Sequence, residues 1–283
     1  MKKGLVLEGG AMRGLFSAGV MDVMMEQGIT FDGVVGVSAG AAFGCNYKSK
    51  QIGRAIRYNK LFAKDRRYCS IGSLIRTGDL FNARFAYHVV PERYDLFDYK
   101  TFEENPMEFY VVCTNVVTGK AVYKKIEHGG YDTYEWIRAS ASMPAVSRIV
   151  KLDDLKLLDG GVADSIPLEF FQNKGYEHNI VVLTQPKGYV KEPNKLMPIM
   201  KVALRKYPNM IETMRTRHEM YNKQLEYIQQ EEAKGHTLLI YPPEKLPIGH
   251  ISHNPEEMQR VYDIGRETAK EMLPRIIEFI VKK

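Results

Sequence analysis

The sequence lacks the features that mark several large classes of protein. Only three cysteines occur among 283 residues, and none forms a C-x-x-C pair. This disfavours a disulfide scaffold and a structural zinc site. No run of apolar residues approaches the roughly 18 that a membrane-spanning helix needs. There is also no internal repeat and no low-complexity tract, so nothing indicates a disordered chain, a collagen or a coiled-coil rod.

What is present is the composition of an ordinary globular protein. Hydrophobic residues make up 45% of the chain and charged residues 26%, and the length suits one large α/β domain or two small ones. The net charge of +6 favours anionic partners such as phospholipid headgroups, without locating the charge. The apolar start is interrupted at Glu8, too early for a secretory signal peptide. We therefore expect a cytoplasmic protein that touches a membrane from one side at most.

Apolar periodicity near the start of the chain alternates between strand and helix. A short apolar run at 4–7 leads into a glycine-rich turn, and helical spacing follows over 14–27. A second strand is predicted over 31–37 and a second helix over 39–47. Strand and helix alternating over so few residues predict an α/β fold, with a mostly parallel central sheet and helices on both faces.

The rest of the chain is expected to extend this sheet. Strands are predicted over 107–117, 121–126, 156–158, 180–183 and 237–241, and helices over 131–142 and 255–281. The region 48–99 has weak helical periodicity and is expected to lie over one edge of the sheet. The region 195–234 is expected to be largely helical, interrupted at Pro198 and Pro208.

The first motif with chemical meaning is a G-x-S-x-G pentapeptide between the second predicted strand and its helix. Its glycines, Gly36 and Gly40, let backbone segments approach closely. The strand can therefore turn sharply into the helix and expose the Ser38 hydroxyl at the carboxyl edge of the sheet. The helix N-terminus at this point favours a developing negative charge. Ser38 is accordingly the candidate nucleophile, on a strand–turn–helix.

The second motif is a glycine-rich turn between the first strand and the first helix. Its residues are Gly9, Gly10, Ala11, Met12, Arg13 and Gly14. Such turns present backbone N–H groups to an anion, either a nucleotide phosphate or the oxyanion of an acyl transfer. The dinucleotide spacing G-x-G-x-x-G fails, because Ala11 occupies the second glycine position and Ser38, not an acidic residue, ends the second strand. We therefore favour an oxyanion hole beside Ser38.

The third motif is an aspartate that follows a short predicted strand. Asp159 precedes Gly160 and Gly161, and taken alone this reads as ordinary turn chemistry. A serine nucleophile needs a base, however, and Asp159 ends a strand as Ser38 does. The sequence therefore offers Ser38 and Asp159 as a candidate pair.

Together the three motifs resemble the patatin-like phospholipase family. That family carries a D/E-G-G-G-x-R/K-G loop, a G-x-S-x-G turn and a D-G-G/A aspartate, which occur here in the same order at 8–14, 36–40 and 159–161. The segments at 139–144 and 162–167 also resemble the family's A-S-x-A/S-x-P and V-x-D-N-x-P segments.

The resemblance covers the chain from about Lys3 to Phe171 and says little about the C-terminal third. On this basis we predict a patatin-like catalytic domain at 3–172 and a largely helical extension at 173–283, packed on the same unit. Two residues depart from the family pattern. Ala11 replaces the third glycine of the loop and would narrow it, and Ser165 replaces a common asparagine.

The resemblance implies a serine esterase that uses a catalytic dyad without a histidine. Ser38 would attack the ester carbonyl and form an acyl-enzyme, while Asp159 would accept the serine proton and later activate water. Backbone N–H groups around Gly10, Ala11 and Met12 would hold the oxyanion. The implied substrate is a lipid ester, a phospholipid or lysophospholipid, and neither a metal nor an organic cofactor is implied.

Two other interpretations stay open. An α/β-hydrolase with a Ser-His-Asp triad would add a histidine such as His250 or His253, both in a loop-like stretch late in the chain. Against a triad, Ser38 follows only the second strand, and a glycine-rich loop already opens the chain. A non-catalytic lipid or nucleotide binder would keep the fold, although none of the three motifs is broken.

Partners are indicated less specifically than the site. Basic and aromatic residues interleave over 48–67, a pattern compatible with peripheral docking on an anionic membrane and equally with a solvated face. We expect no nucleic-acid partner. We also expect no metal site, because the histidines lack ligand spacing. The oligomeric state is not predicted.

Overall fold

One eight-stranded sheet forms the centre of the molecule, in a computed structural model that describes residues 1–281. Its strands are β1 (Lys2–Leu7), β2 (Gly33–Val37), β3 (Glu108–Asn115), β4 (Ala121–Ile126), β5 (Val150–Leu152), β6 (Leu155–Asp159), β7 (Tyr176–Val182) and β8 (Thr237–Ile240). The order is β5-β6-β3-β2-β1-β7-β8, with β4 also paired to β3. The parallel pairs are β3–β2, β2–β1, β1–β7 and β7–β8. The antiparallel pairs are β3–β4, β3–β6 and β5–β6. The α/β fold class with a mostly parallel sheet is confirmed.

Helices cover this sheet. They are α1 (Gly14–Glu26), α2 (Ala39–Lys48), α3 (Arg54–Phe62), α4 (Ile71–Thr77), α5 (Tyr99–Glu104), α6 (Tyr131–Ser140), α7 (Leu168–Asn173), α8 (Met197–Ala203), α9 (Pro208–Ala233) and α10 (Pro255–Val281). A π-helical segment at Phe85–Tyr94 contains Pro91. The helix expected over 195–234 is divided into α8 and α9. The short elements β5 and α7 were not predicted, since three to six residues carry too little periodicity.

Both faces of the parallel strands are buried. Leu5 and Leu7 of β1 lie in a hydrophobic core with residues of α1, α2 and α10, whereas Val6 between them lies in a second core with residues of α7 and α9. Because successive side chains of a strand point to opposite faces, a continuous apolar run is what a doubly covered strand requires. The helices therefore lie on both faces of the sheet, as the sequence predicts.

Helices α1 and α10 cross at unusually close range. A Cβ atom on Gly19 would lie 2.1 Å from the carbonyl oxygen of Tyr262, and one on Gly265 would lie 2.0 Å from that of Phe16. Only glycine permits this approach. Beside the crossing, the buried Asp22 carboxylate accepts hydrogen bonds from the Tyr262 hydroxyl at 2.6 Å and the Gly53 N–H at 2.9 Å.

The C-terminal third contributes to the central sheet as well as to the helical layers. Strand β7 pairs with β1 and β8 pairs with β7, both in parallel, and α10 packs on α1. The boundary predicted at residue 172 therefore separates neighbouring strands of one sheet, and the division into a catalytic domain and an extension stays a prediction. Residues 282–283 of the predicted extension lie outside the described residues. Among the described helices, none is both long enough and apolar enough to cross a membrane.

Two basic side chains of the 48–67 segment point into the protein. The Lys48 ammonium donates to the carbonyl oxygens of Asn105 and Met107, at 2.7 and 2.5 Å. Arg54 is 4% exposed and pairs with Asp95. These two cations are therefore not placed to face a lipid surface, and the predicted membrane contact would have to use the remaining basic residues of the segment.

Candidate active site

The G-x-S-x-G turn joins β2 to α2 and holds Ser38 in a strained conformation. The backbone of Ser38 has φ 54° and ψ −119°, a combination that residues other than glycine rarely adopt. A Cβ on Gly36 would lie 2.5 Å from the carbonyl oxygen of Gly40, and one on Gly40 would lie 2.4 Å from that of Leu7. Both glycines are therefore required by close backbone contacts, which hold the serine at the start of the helix.

A second serine ties this turn to the neighbouring strand. The N–H of Ser38 donates to the Ser140 hydroxyl oxygen at 2.8 Å, and the Ser140 hydroxyl in turn donates to the Val112 carbonyl at 2.6 Å. Ser140 is fully buried. It belongs to the segment at 139–144 that resembles the family pattern, but its role in holding the nucleophile turn emerges only from the tertiary structure.

Asp159 lies beside Ser38 at the end of β6. Both residues line the same polar cavity, and the Asp159 carboxylate accepts from the Gly161 N–H at 2.8 Å. Each of the pair is only 8% exposed. Burial raises the pKa of Asp159, opposed by the hydrogen bond from Ser38, the charge of Arg217 and the Gly161 N–H. A carboxylate whose pKa is raised by burial is a stronger base than an exposed aspartate.

The glycine-rich loop lies against the nucleophile. A Cβ on Gly9 would be 2.9 Å from the Cβ of Ser38. Ala11, at the position of the family's third glycine, has φ 50°, the left-handed region that favours glycine. Ala11, the residue that departs from the family pattern, therefore lies at a point of local backbone strain.

Backbone hydrogen bonds reduce the set of amides available to an oxyanion. The Met12 N–H donates to the His250 carbonyl at 3.4 Å, that of Arg13 donates to the Gly10 carbonyl, and that of Gly14 is also bonded within the turn. In the part of the chain that the structure describes, no protein acceptor contacts the N–H groups of Gly10 and Ala11. The Gly9 N–H likewise has no protein acceptor among the described residues, so three of the predicted loop amides could serve an oxyanion.

Glu8 anchors the loop from below. Its carboxylate accepts from the Thr184 N–H at 2.6 Å and hydroxyl at 3.1 Å, and from the Tyr221 hydroxyl at 2.6 Å. The Thr184 hydroxyl also lies 3.0 Å from the Gly9 carbonyl oxygen, so Glu8 and Gly9 share its single proton. Thr184 and Tyr221 were not among the predicted site residues, because they follow Glu8 by more than 170 positions and carry no local motif.

Two cavities of different character meet at Ser38. One has about 820 Å³ including its open mouth and is lined mainly by apolar and aromatic side chains, among them Phe43, Tyr58 and Ile137. The other has about 670 Å³ and is lined by polar groups, including Asp159 and the glycine-rich loop. A ligand with an apolar arm and a polar arm would fit with its junction at the nucleophile.

The polar cavity contains three cationic side chains and one histidine. They are Arg13, Lys191, Arg217 and His250. The Arg217 guanidinium donates to the Gly161 carbonyl, and an Arg13 terminal nitrogen lies 3.2 Å from His250 Nε2. The second candidate triad histidine, His253, contacts the Ala63 carbonyl at 2.8 Å and does not line this cavity.

Other chemistry-bearing groups play no evident part in this site. Cys45, Cys69 and Cys113 are all buried as free thiols. Burial raises the pKa of Cys45 to about 11, so that its thiol is a poor nucleophile despite lining the apolar cavity. Among residues 1–281, no three side chains of His, Cys, Asp or Glu come together as a set able to hold a metal ion.

Sequence comparisons identify relatives over the whole chain and over its first part. The Patatin model, described as patatin-like phospholipase, matches residues 5–171, and a model for a domain of unknown function (DUF6363) matches residues 207–281. The uncharacterized protein YjjU of Escherichia coli is 25% identical over 99% of this chain and 79% of its own length.

Other similar proteins are longer or more distant. Lysophospholipase nte1 of Aspergillus niger is 28% identical and lysophospholipase nte1 of Emericella nidulans is 30% identical, each over 61% of this chain. The chain spans only 11% of the length of either lysophospholipase. The crystal structure of VipD from Legionella pneumophila is 12% identical, with a TM-score of 0.46 over 97% of this chain and 67% of VipD.

The match to the Patatin model includes every motif that first suggested the family. It begins in β1 and ends in α7, so it contains the glycine-rich loop, the nucleophile turn and the aspartate turn. Because this match covers more than half of the chain, the protein belongs to the patatin-like phospholipase family and is a lipid ester hydrolase.

Proposed function

We propose that the protein hydrolyses carboxylic esters of phospholipids or lysophospholipids, with Ser38 as nucleophile and Asp159 as its base. The observation that carries this proposal is that the two residues line one polar cavity, and that Ser38 stands where this cavity meets an apolar one. An acyl chain suits the first cavity, and the polar part of a lipid suits the second.

The reaction proceeds through an acyl-enzyme. The Ser38 oxygen attacks the ester carbonyl while its proton passes to the Asp159 carboxylate, which gives a tetrahedral oxyanion. Collapse of this intermediate breaks the bond to the alcohol, which leaves with the proton from Asp159. Water then attacks the acyl-enzyme, again giving its proton to Asp159. The fatty acid is released as Ser38 recovers its proton.

Stabilisation of the oxyanion must supply much of the catalysis, because a carboxylate is a weak base for an alcohol. The N–H groups of Gly10 and Ala11 are the donors we assign to it, supported by the N-terminus of α2. The surrounding structure holds Ala11 and Ser38 in strained backbone conformations, so the proposed oxyanion donors and nucleophile are in place before the substrate binds.

The preference for lysophospholipids or phospholipids also draws on the named relatives. Two of the similar fungal proteins are lysophospholipases, although the chain matches only a small part of each. We further propose that the enzyme acts in the cytoplasm and contacts a membrane peripherally, since its substrates reside there. Vesicle flotation with and without anionic lipid tests that contact, and equal flotation would argue against a role for charge.

The dyad is tested by labelling with a fluorophosphonate, followed by intact-mass measurement. We expect one adduct on the natural protein, none on Ser38→Ala, and labelling slowed by about 100-fold or more on Asp159→Asn, because an amide cannot accept the serine proton. Asp132→Asn, at an exposed aspartate, is the matched control and should label normally. An adduct that persists on Ser38→Ala would identify a different nucleophile.

A catalytic triad is the alternative that one observation favours, since His250 lines the same cavity as Ser38 and Asp159. However, the Nε2 atom of His250 lies 3.2 Å from a terminal nitrogen of Arg13, and no hydrogen bond joins His250 to Ser38 or Asp159 among the described residues. Ester hydrolysis by His250→Gln separates the two mechanisms. Retained turnover is expected for the dyad, whereas a loss as complete as that of Ser38→Ala would establish a triad. Hydrolysis that depends on Ser38 also excludes a purely lipid-binding role.

A further inference from the structure

The polar cavity beside the nucleophile holds more positive charge than its carboxylates balance. Arg13, Lys191 and Arg217 line it, and among the described residues their recorded polar and aromatic contacts are with neutral groups. The Nε of Arg13 is buried without a partner. Arg217 donates to a carbonyl oxygen, and the Lys191 ammonium lies 4.9 Å from the centre of the Tyr221 ring.

The two carboxylates of the cavity are already occupied. Glu8 is 3% exposed and accepts from Thr184 and Tyr221, which are neutral donors. Asp159 accepts from the Gly161 N–H, which is also neutral. Neither is ion-paired with a cation of the cavity. The three cationic side chains therefore line the cavity without an ion-pair partner among residues 1–281, because the two carboxylates there are hydrogen-bonded to neutral donors.

The chemistry of Lys191 is consistent with this excess. Burial, together with the charges of Arg217 and Arg13 and against the opposing charge of Glu8, lowers the pKa of Lys191 to about 8. An ammonium that is disfavoured by its surroundings gains from a bound anion, because the anion supplies the missing negative charge. Phosphate, with several acceptor oxygens, suits a site formed by two guanidinium groups and an ammonium.

The position of the cavity relates this anion to the scissile bond. Ser38 lines both cavities, so a substrate with its acyl chain in the apolar one places the rest of the molecule among the three cations. Lys191 and Arg217 both lie beyond the 5–171 match to the Patatin model. The C-terminal third therefore supplies two of the three charges.

We propose that Lys191, Arg217 and Arg13 form a subsite for the phosphate group of the substrate, so that the enzyme prefers acyl esters that carry a phosphate near the ester over neutral acylglycerols. This assignment rests on the proposed function, in that it places the phosphate of a substrate that Ser38 cleaves. It makes Lys191 a specificity-determining residue contributed by the segment between β7 and α8.

Lys191 is the better residue to test, because Arg217 also contacts the Gly161 carbonyl in the aspartate turn. The backbone of Lys191 is held by Asn222, whose side chain accepts from its N–H at 2.8 Å and donates to its carbonyl at 3.1 Å. Replacing the side chain should therefore leave the segment in place. Lys195, whose side chain is 87% exposed, provides a matched control on the same segment.

The experiment compares kcat/KM for lysophosphatidic acid and for monoacylglycerol with the same acyl chain. We expect the natural protein to prefer lysophosphatidic acid. Lys191→Gln should lower kcat/KM for lysophosphatidic acid by about 10- to 100-fold, the usual effect of losing one charged hydrogen bond. The same substitution should change kcat/KM for monoacylglycerol much less, because that lipid has no phosphate, and Lys195→Gln should match the natural protein on both. An equal loss on the two substrates, or no loss, would overturn the subsite.

Binding to the Ser38→Ala protein separates the subsite from the catalytic proposal. If neither lipid is hydrolysed, the proposed function fails, and calorimetry then decides the subsite alone. Tighter binding of lysophosphatidic acid than of monoacylglycerol, weakened by Lys191→Gln in that background, would uphold it, and equal binding of the two would refute it. Inorganic phosphate is the third probe. Affinity equal to that of lysophosphatidic acid would indicate a site for free phosphate and overturn the assignment to a lipid.

Discussion

At the scale of a single residue, the proposed base Asp159 has to meet two opposed requirements. It must be basic enough to take the serine proton, and it must remain ionised at the pH of the cell. Burial raises its pKa, whereas the Ser38 hydrogen bond, the charge of Arg217 and the Gly161 N–H lower it. Arg217 is therefore one of the groups that favour the ionised form of the proposed base, although it lies 58 residues away along the chain.

Removing the charge of Arg217 should shift the pH dependence of turnover. In Arg217→Gln the pKa of Asp159 rises further, so the acidic limb of kcat/KM on a small neutral ester should move to higher pH. Arg217→Lys, which keeps the charge, should stay near the natural profile. Arg215→Gln, at an exposed arginine paired with Glu212, is the control on the same helix. A profile that does not move in Arg217→Gln would remove Arg217 from this role.

Local sequence supplied the candidate site residues where a motif surrounds them, and their catalytic roles stay predictions. The glycines of the Ser38 turn were predicted from their spacing, and the structure shows the close backbone contacts that require them. The sequence did not show which amides of the glycine-rich loop are free to bind an oxyanion. Met12 was included, but its N–H donates to the His250 carbonyl, and that contact joins residues 238 positions apart. Spacing within a loop carries no information about such partners.

At the scale of elements, the crossing of α1 and α10 connects the two ends of the chain. Gly19 and Gly265 allow backbone contact, and Arg266 pairs with Glu26 at 2.8 Å beside them. Helix α1 follows the glycine-rich loop directly. The crossing thus supports the element on which the proposed oxyanion donors depend.

Gly265→Ala should destabilise the protein, because its Cβ would lie 2.0 Å from the Phe16 carbonyl oxygen and the helices would have to separate. We expect a loss of about 1–3 kcal/mol or more in the free energy of unfolding, typical of overpacking. Chemical denaturation measures it. Gly72→Ala in α4 is the control, since its Cβ meets nothing closer than 3.6 Å and alanine favours a helix. Equal stability of both variants would contradict the crossing geometry.

At the scale of the whole molecule, one buried acid links stability to pH. Burial raises the pKa of Asp22 to about 6, opposed mainly by hydrogen bonds from Tyr262 and Gly53. Its usual value is 3.8. The folded protein therefore binds this proton more tightly than the unfolded chain. The contribution to stability is complete below about pH 4 and is lost as the pH rises through 6.

Asp22→Asn should remove this pH dependence and stabilise the protein at neutral pH by about 2–3 kcal/mol. One oxygen, Oδ2, accepts both hydrogen bonds, so an amide oxygen in its place keeps them. Melting temperatures between pH 4 and 8 test the prediction. Asp263→Asn, exposed on α10 beside Tyr262, is the control. A variant less stable than the natural protein at pH 7 would show that the ionised carboxylate is favourable here.

The sequence by itself determined the α/β class and the family, and it is the source of the predicted pair Ser38 and Asp159, because each depends on local order: apolar period, glycine at a tight turn, and aspartate at a strand end. Only the tertiary structure decided which amides remain free, how Glu8 is held, and where Lys191 and Arg217 lie. These depend on β7 joining the sheet beside β1 and on α9 covering its face. Contacts between segments so distant in sequence are fixed by packing, which no local pattern records.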